Sequence, residues 1–226
     1  MHSPDGSVWH DKTHHAWLNP YNRKVWDYNV DIAVDAIKHG FKEVQFDYVR
    51  FPSEGKVSTL VYPGKPKGAL REDEIAAFMK YAHEKIKAQG GWFSADVFGL
   101  TSLVKNDEGI GQKFIKVIQN VDYLCPMVYP SHYAHGEYHI KNPNLEPYKI
   151  LHLSLGDAKK RIAAVPTCKL RPWLQAFTLH HEHYGPAQLS AQFKAARELG
   201  INEYLLWNAR CSYKDVEGAL SKESKK

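Results

Sequence analysis

Short apolar runs alternate with helical patterns along most of this chain, and that alternation is what most narrows the fold. Runs at Val44 to Val49, Trp92 to Phe98, Val121 to Tyr129, Leu170 to Phe177 and Tyr204 to Trp207 have strand length and are rich in β-branched and aromatic residues. Between them stand segments with apolar residues at helical spacing: Val25 to His39, Arg71 to Gly90, Gly109 to Gln119, Ser154 to Ala164 and Pro186 to Leu199, with a short helix near Tyr213 to Leu220 at the end. The clearest begins with Glu72, Asp73 and Glu74 in its first turn, carries a stripe of Ile75, Phe78, Met79, Ala82 and Ile86, and stops at Gly90-Gly91. Strands separated by helices pair in parallel through right-handed crossovers, so the fold class is α/β, a doubly wound sheet or a barrel of about five βα units. The 226 residues, 43% hydrophobic and 12% aromatic, are expected to form one domain, 1–226.

One of these runs carries an acid. In Glu43-Val44-Gln45-Phe46-Asp47-Tyr48-Val49-Arg50-Phe51-Pro52, alternation puts Val44, Phe46 and Tyr48 on one face and Gln45 with Asp47 on the other. A carboxylate is costly to bury unpaired, and in parallel α/β folds chemistry gathers at the carboxyl ends of strands. Asp47 is therefore a candidate catalytic group. The bland alternative is a carboxylate that only pairs with Arg50 or accepts backbone hydrogen bonds.

Composition excludes several classes. The formal charge of +5 comes from scattered Lys and Arg, densest in the tail Lys222-Glu223-Ser224-Lys225-Lys226, so no nucleic-acid partner is expected. Cys125, Cys168 and Cys211 are odd in number and lack metal-type spacing, which implies neither a disulfide framework nor a metal site. No apolar stretch at the start reads as a signal peptide or membrane span, and cellular location is undetermined. No cofactor is expected. Residues 1–24 read as loop, and 53–68, rich in Gly, Pro and Lys, read as another with Val61-Tyr62 at a hairpin edge.

Six motifs carry a resemblance. Phe46-Asp47-Tyr48-Val49-Arg50-Phe51-Pro52, Ser94-Ala95-Asp96-Val97-Phe98-Gly99-Leu100-Thr101, Gly109-Ile110-Gly111-Gln112, Pro126-Met127-Val128-Tyr129-Pro130-Ser131-His132-Tyr133, Arg171-Pro172-Trp173-Leu174-Gln175 and Leu206-Trp207-Asn208-Ala209 resemble the bacterial putative glycoside hydrolase domain family, long catalogued as a domain of unknown function. The match runs in order from about Trp17 to Tyr213. The resemblance implies a TIM-type barrel acting on carbohydrate at the carboxyl ends of its strands, in proteins that are exported or held in the cell envelope. Family members carry about three βα units ahead of the matched segment. The barrel here is thus expected to be incomplete, with an open edge at Val44 to Val49 through which copies could associate.

Asp96 ends its strand as Asp47 ends the one before. Neighbouring parallel strands lie about 4.8 Å apart, so the two carboxyls are expected near the roughly 5–5.5 Å separation of retaining glycosidases. Arg50 is expected to keep Asp47 ionised as nucleophile, while Val97 and Phe98 beside Asp96 favour its protonated form as general acid. Tyr129, Trp173, Gln175 and Trp207 suit a sugar's apolar face and hydroxyls, although rings at such positions also simply fill cores. Arg50, His132, Tyr133 and Asn208 sit at loop mouths and complete the expected binding set. Asp107 and Glu108 precede a helical pattern and are read as capping residues.

Two other readings compete with a glycosidase. Three histidines from Ser131-His132-Tyr133-Ala134-His135 and His180-His181-Glu182-His183 could gather around a zinc ion with Asp47 or Asp96, though neither stretch has a zinc-protease spacing. The chain could also bind glycans without cleaving them.

Overall fold

The computed structural model describes residues 1–179 and 182–223. They form two compact units, one of Met1–Asp96 with Val104–Asp122 and one of Val97–Leu103 with the described residues from Tyr123 onward.

In the first unit, helix α1 (Arg23–Lys38) starts where the Asn22 side chain accepts a hydrogen bond from the Lys24 amide. Its apolar stripe of Trp26, Val30, Ala33 and Ile37 is buried. The helix ends at Gly40, whose φ of 102° is open to glycine and strained for most other residues. Strand β1 (Glu43–Phe46) follows, then helix α2 (Arg71–Lys87) and strand β2 (Trp92–Phe98). β1 and β2 pair in parallel, Glu43 with Trp92 through Phe46 with Ala95. Phe46 stacks on Phe78 of α2 and meets Phe93 edge-on, centroids 5.7 and 5.3 Å apart, which ties strand to helix. Phe93, Met79 and Ile86 are completely buried. Each such side chain contributes about 1.5–3 kcal/mol by leaving water.

In the second unit, strand β3 (Tyr123–Val128) pairs in parallel with β4 (Lys169–Leu170) and β5 (Trp173–Gln175), and β5 pairs in parallel with β6 (Leu205–Trp207). Helices α4 (Pro147–Ile162), α5 (Pro186–Glu198) and α6 (Lys214–Glu223) pack on them, α3 (Phe114–Val117) belonging to the first unit. The core joins Val128 and Leu174 of the strands to Ile150, Leu155, Leu189, Phe193 and Val216 of the helices.

The alternation of parallel strands and helices is as expected, but four boundaries differ. β1 stops at Phe46, not Val49, because Tyr48 turns into the left-handed region at φ 53°. The helix expected from Gly109 shrinks to α3, since Gly109 and Gly111 both have positive φ and cannot be helical. The run Leu170 to Phe177 splits into β4 and β5 at Pro172, which has no amide to donate. α4 opens at Pro147, ahead of Ser154, with the proline in the first turn where no amide is needed. The hairpin edge at Val61 is a single antiparallel bridge to His2.

Candidate active site

The inner face of β1 and β2 is polar. The Ser94 hydroxyl donates to Glu43 Oε1 at 2.7 Å and lies 3.4 Å from Gln45 Oε1, so the row below the strand ends is a hydrogen-bonded layer. One step further along, each strand presents an aspartate. Asp47 directly follows the Phe46–Ala95 register pair on one side and Asp96 on the other, and their carboxyls are hydrogen-bonded to each other. A direct bond is closer than the spacing expected for two groups that flank a glycosidic bond. Asp96 is 3% exposed, whereas Asp47 is open to solvent.

Asp47 lines a cavity of about 780 Å³ bounded by the N-terminal loop, α1, the end of β1 and α2. Its carboxyl sits above the ordinary Asp range. Desolvation by the cavity walls pushes it up, and the Tyr48 amide, Asp96 and, last, Arg50 pull it partly back. Arg50, expected to keep Asp47 ionised, lowers it least of the three, and desolvation outweighs it; its guanidinium also has other contacts. Nη1 donates to the Phe51 carbonyl and the Ser53 hydroxyl, both at 3.2 Å, and the guanidinium lies 4.8 Å from the Trp17 ring centre and 5.6 Å from that of Tyr48. Trp17 is itself anchored, its indole N–H donating to Asp11 at 2.9 Å.

A second loop braces the aspartates from below. Gln112 is buried, and its amide donates to the carbonyls of Val49 and Asp96 at 3.2 and 3.4 Å. It is delivered by Gly111, where a Cβ would fall 2.5 Å from Ile75 Cγ1. The Asp107 carboxylate accepts from the amides of Gly109 and Gly111, both at 3.1 Å, so it caps this loop where a helix cap was expected.

In the second unit the expected binding residues separate into two kinds. Tyr129, His132 and Phe177 form an edge-on aromatic cluster with centroids 5.3–6.0 Å apart, and Trp173 meets Trp207 edge-on at 5.9 Å. Trp207 is 45% exposed. The others have internal hydrogen bonds. Buried Gln175 accepts from the Ser131 amide at 3.0 Å, donates to the Phe177 carbonyl at 3.0 Å and exchanges backbone bonds with the Gln192 side chain. Tyr133 is buried with its hydroxyl 2.7 Å from that of Ser154, and the Asn208 amide group donates to the Ala176 and Ser212 carbonyls.

Among the described residues no three His, Cys, Asp or Glu side chains gather as a metal site. His180 and His181 of the zinc reading lie outside the described residues.

A family model described as a putative glycosyl hydrolase domain matches residues 1–213. The chain belongs to that family. No curated protein matches this glycosyl hydrolase domain. Among solved structures, the PgaB (BpsB) glycoside hydrolase domain from Bordetella bronchiseptica is 14% identical, with a TM-score of 0.63 over 97% of this chain and 68% of that one. A class V chitinase from Pseudomonas fluorescens Pf-5 is 13% identical, TM-score 0.62, over 89% and 73%. The spore cortex-lytic enzyme SleL of Bacillus megaterium QM B1551 is 12% identical, TM-score 0.55, over 84% of this chain and 51% of its own. These likenesses show the fold, a TIM-type (β/α) barrel that this chain supplies only in part. The chain spans about half the length of the cortex-lytic enzyme.

Two residues of the glycosyl hydrolase domain's cavity carry no such role in the sequence reading, Trp17, in a stretch read as loop, and Tyr48, read as facing away from Asp47, and neither does the brace Gln112, read as helical. The doublet of glycines around Ile110 was the one signal that could have marked Gln112 as a brace, because a Gly-x-Gly turn is poor helix material.

Proposed function

We propose that the Asp47 and Asp96 pair cleaves glycosidic bonds of a poly- or oligosaccharide, with Asp47 as the group presented to the sugar. The observation that carries this reading is the hydrogen-bonded carboxyl pair at the ends of two parallel strands, with one member on the wall of a cavity of about 780 Å³. Asp47 in its ionised form attacks the anomeric carbon. Asp96 gives its proton to the leaving glycosidic oxygen, and water later releases the sugar from Asp47. For this the sugar must enter between the carboxyls in place of their mutual hydrogen bond. In the first unit Arg50 supplies a polar group beside Asp47; in the second, the exposed Trp207 with Trp173, and His132 packed on the buried Tyr129, supply aromatic surface for a sugar, while Gln175, Tyr133 and Asn208 hold the loops that carry them. Chitin oligosaccharides head the substrate panel because chitinases are among the solved structures of this fold.

The burial of Asp96 favours a second reading, in which it never touches the sugar and only keeps Asp47 in place. Aryl glycosides separate the two. With Asp96→Asn, a general acid predicts activity spared on good leaving groups and lost on poor ones; a supporting role predicts equal loss on all. Asp47→Asn is expected to abolish turnover on every substrate, and retained turnover would sink the whole reading. We also place self-association at the outer edge of β1, which has no ladder partner among the described residues. A concentration-independent monomer in sedimentation would remove that part.

A further inference from the structure

We infer that Tyr48 is a substrate-binding and positioning residue, its left-handed backbone aiming its amide at Asp47 and its ring serving as a sugar-stacking wall of the same cavity. The inference rests on the carbohydrate reading above.

Residue type is the first argument. Tyr48 has φ 53°, a conformation that glycine or asparagine adopts at lower cost than a bulky side chain. Its ring does not recover that cost by burial, since the residue is 61% exposed. Strain and exposure together beside a candidate catalytic group point to a function for the ring.

Geometry is the second. The same backbone turn brings the Tyr48 amide to 2.7 Å from Asp47 Oδ1, a charge-assisted bond that fixes one carboxylate oxygen. The ring lies within reach of the Arg50 guanidinium, as does the anchored ring of Trp17, and all four residues line the cavity. A pyranose needs this combination: an aromatic surface for its C–H face and charged groups for its hydroxyls.

The test uses the whole chain with chitotetraose and cellotetraose as probes, binding followed by tryptophan fluorescence and the residue 48 amide by NMR. Tyr48→Gly keeps the backbone turn and removes the ring; Tyr48→Phe keeps both. The phenylalanine variant is expected to bind as the parent does. The glycine variant is expected to bind about tenfold more weakly, with a folded spectrum and an amide shift that still follows the titration of Asp47. Unchanged affinity in the glycine variant would overturn the stacking role. An amide shift in the parent that ignores Asp47 would overturn the positioning role. Failure of the parent to bind either sugar would overturn the carbohydrate reading and the wall with it, while the amide titration still decides the positioning role by itself.

Discussion

Asp47 and Asp96 are hydrogen-bonded carboxyl to carboxyl, one residue beyond the last register pair of two adjacent parallel strands. The contact is one of the influences that set the charge state of Asp47. Desolvation raises Asp47, and the Tyr48 amide, Asp96 and Arg50 bring it partly back.

The raised pKa of Asp47 has a measurable effect on stability. A carboxyl whose pKa is raised in the folded state binds its proton more tightly there than in the unfolded chain. Its stabilising contribution is complete below the ordinary Asp value of about 3.9 and is lost as pH rises through the raised native value. Asp47→Asn is therefore expected to raise the melting temperature at pH 7 and to leave it nearly unchanged at pH 3. Calorimetry at the two pH values checks this; a destabilised variant at pH 7 would contradict the raised pKa.

Gly111 is expected to tolerate no side chain. At φ 86°, a Cβ would stand 2.5 Å from Ile75 Cγ1 and 3.0 Å from the Arg71 carbonyl. Left-handed strain and overpacking together should make Gly111→Ala cost about 2–4 kcal/mol in urea unfolding. Displacing Gln112 from Val49 and Asp96 should also shift the NMR titration of Asp47. A loss under 1 kcal/mol would show that the loop adapts.

Gln175 separates a sugar contact from a loop brace. Replacing it with alanine removes partners from the Ser131 amide and the Phe177 carbonyl. A brace predicts a stability loss of about 2–3 kcal/mol in urea unfolding. Unchanged stability with lost sugar binding would return Gln175 to the direct binding set.

Trp207 predicts the opposite pattern. It is 45% exposed and its ring contact is with Trp173. Trp207→Ala should lose no more than about 1.5 kcal/mol of stability while weakening binding of any bound oligosaccharide. A loss of folded signal would make it a core residue.

Much of the fold was legible because burial imposes periodicity. The stripes of α1 and α2 gave away their helices, and α5 was bounded by Pro186 and Gly200. Where boundaries were misplaced, a single backbone event intervened that periodicity cannot register: the turn at Tyr48, the glycines flanking Ile110, and the missing amide of Pro172. Roles were harder to read. Trp207, Gln175 and Tyr133 look alike as polar or aromatic residues in motif positions, yet Gln175 and Tyr133 have buried internal partners and Trp207 is 45% exposed.

By itself the sequence determined that parallel strands alternate with helices, and that an aspartate ends each of the first two strands, because those facts follow from local spacing along one chain. Only the tertiary structure decided that the two carboxyls are hydrogen-bonded to each other, that desolvation outweighs Arg50 at Asp47, and that Trp17 and Tyr48 line the same cavity. Charge state and cavity shape depend on which distant residues displace water from a group. Such neighbours are chosen by packing, and no spacing in the sequence records them.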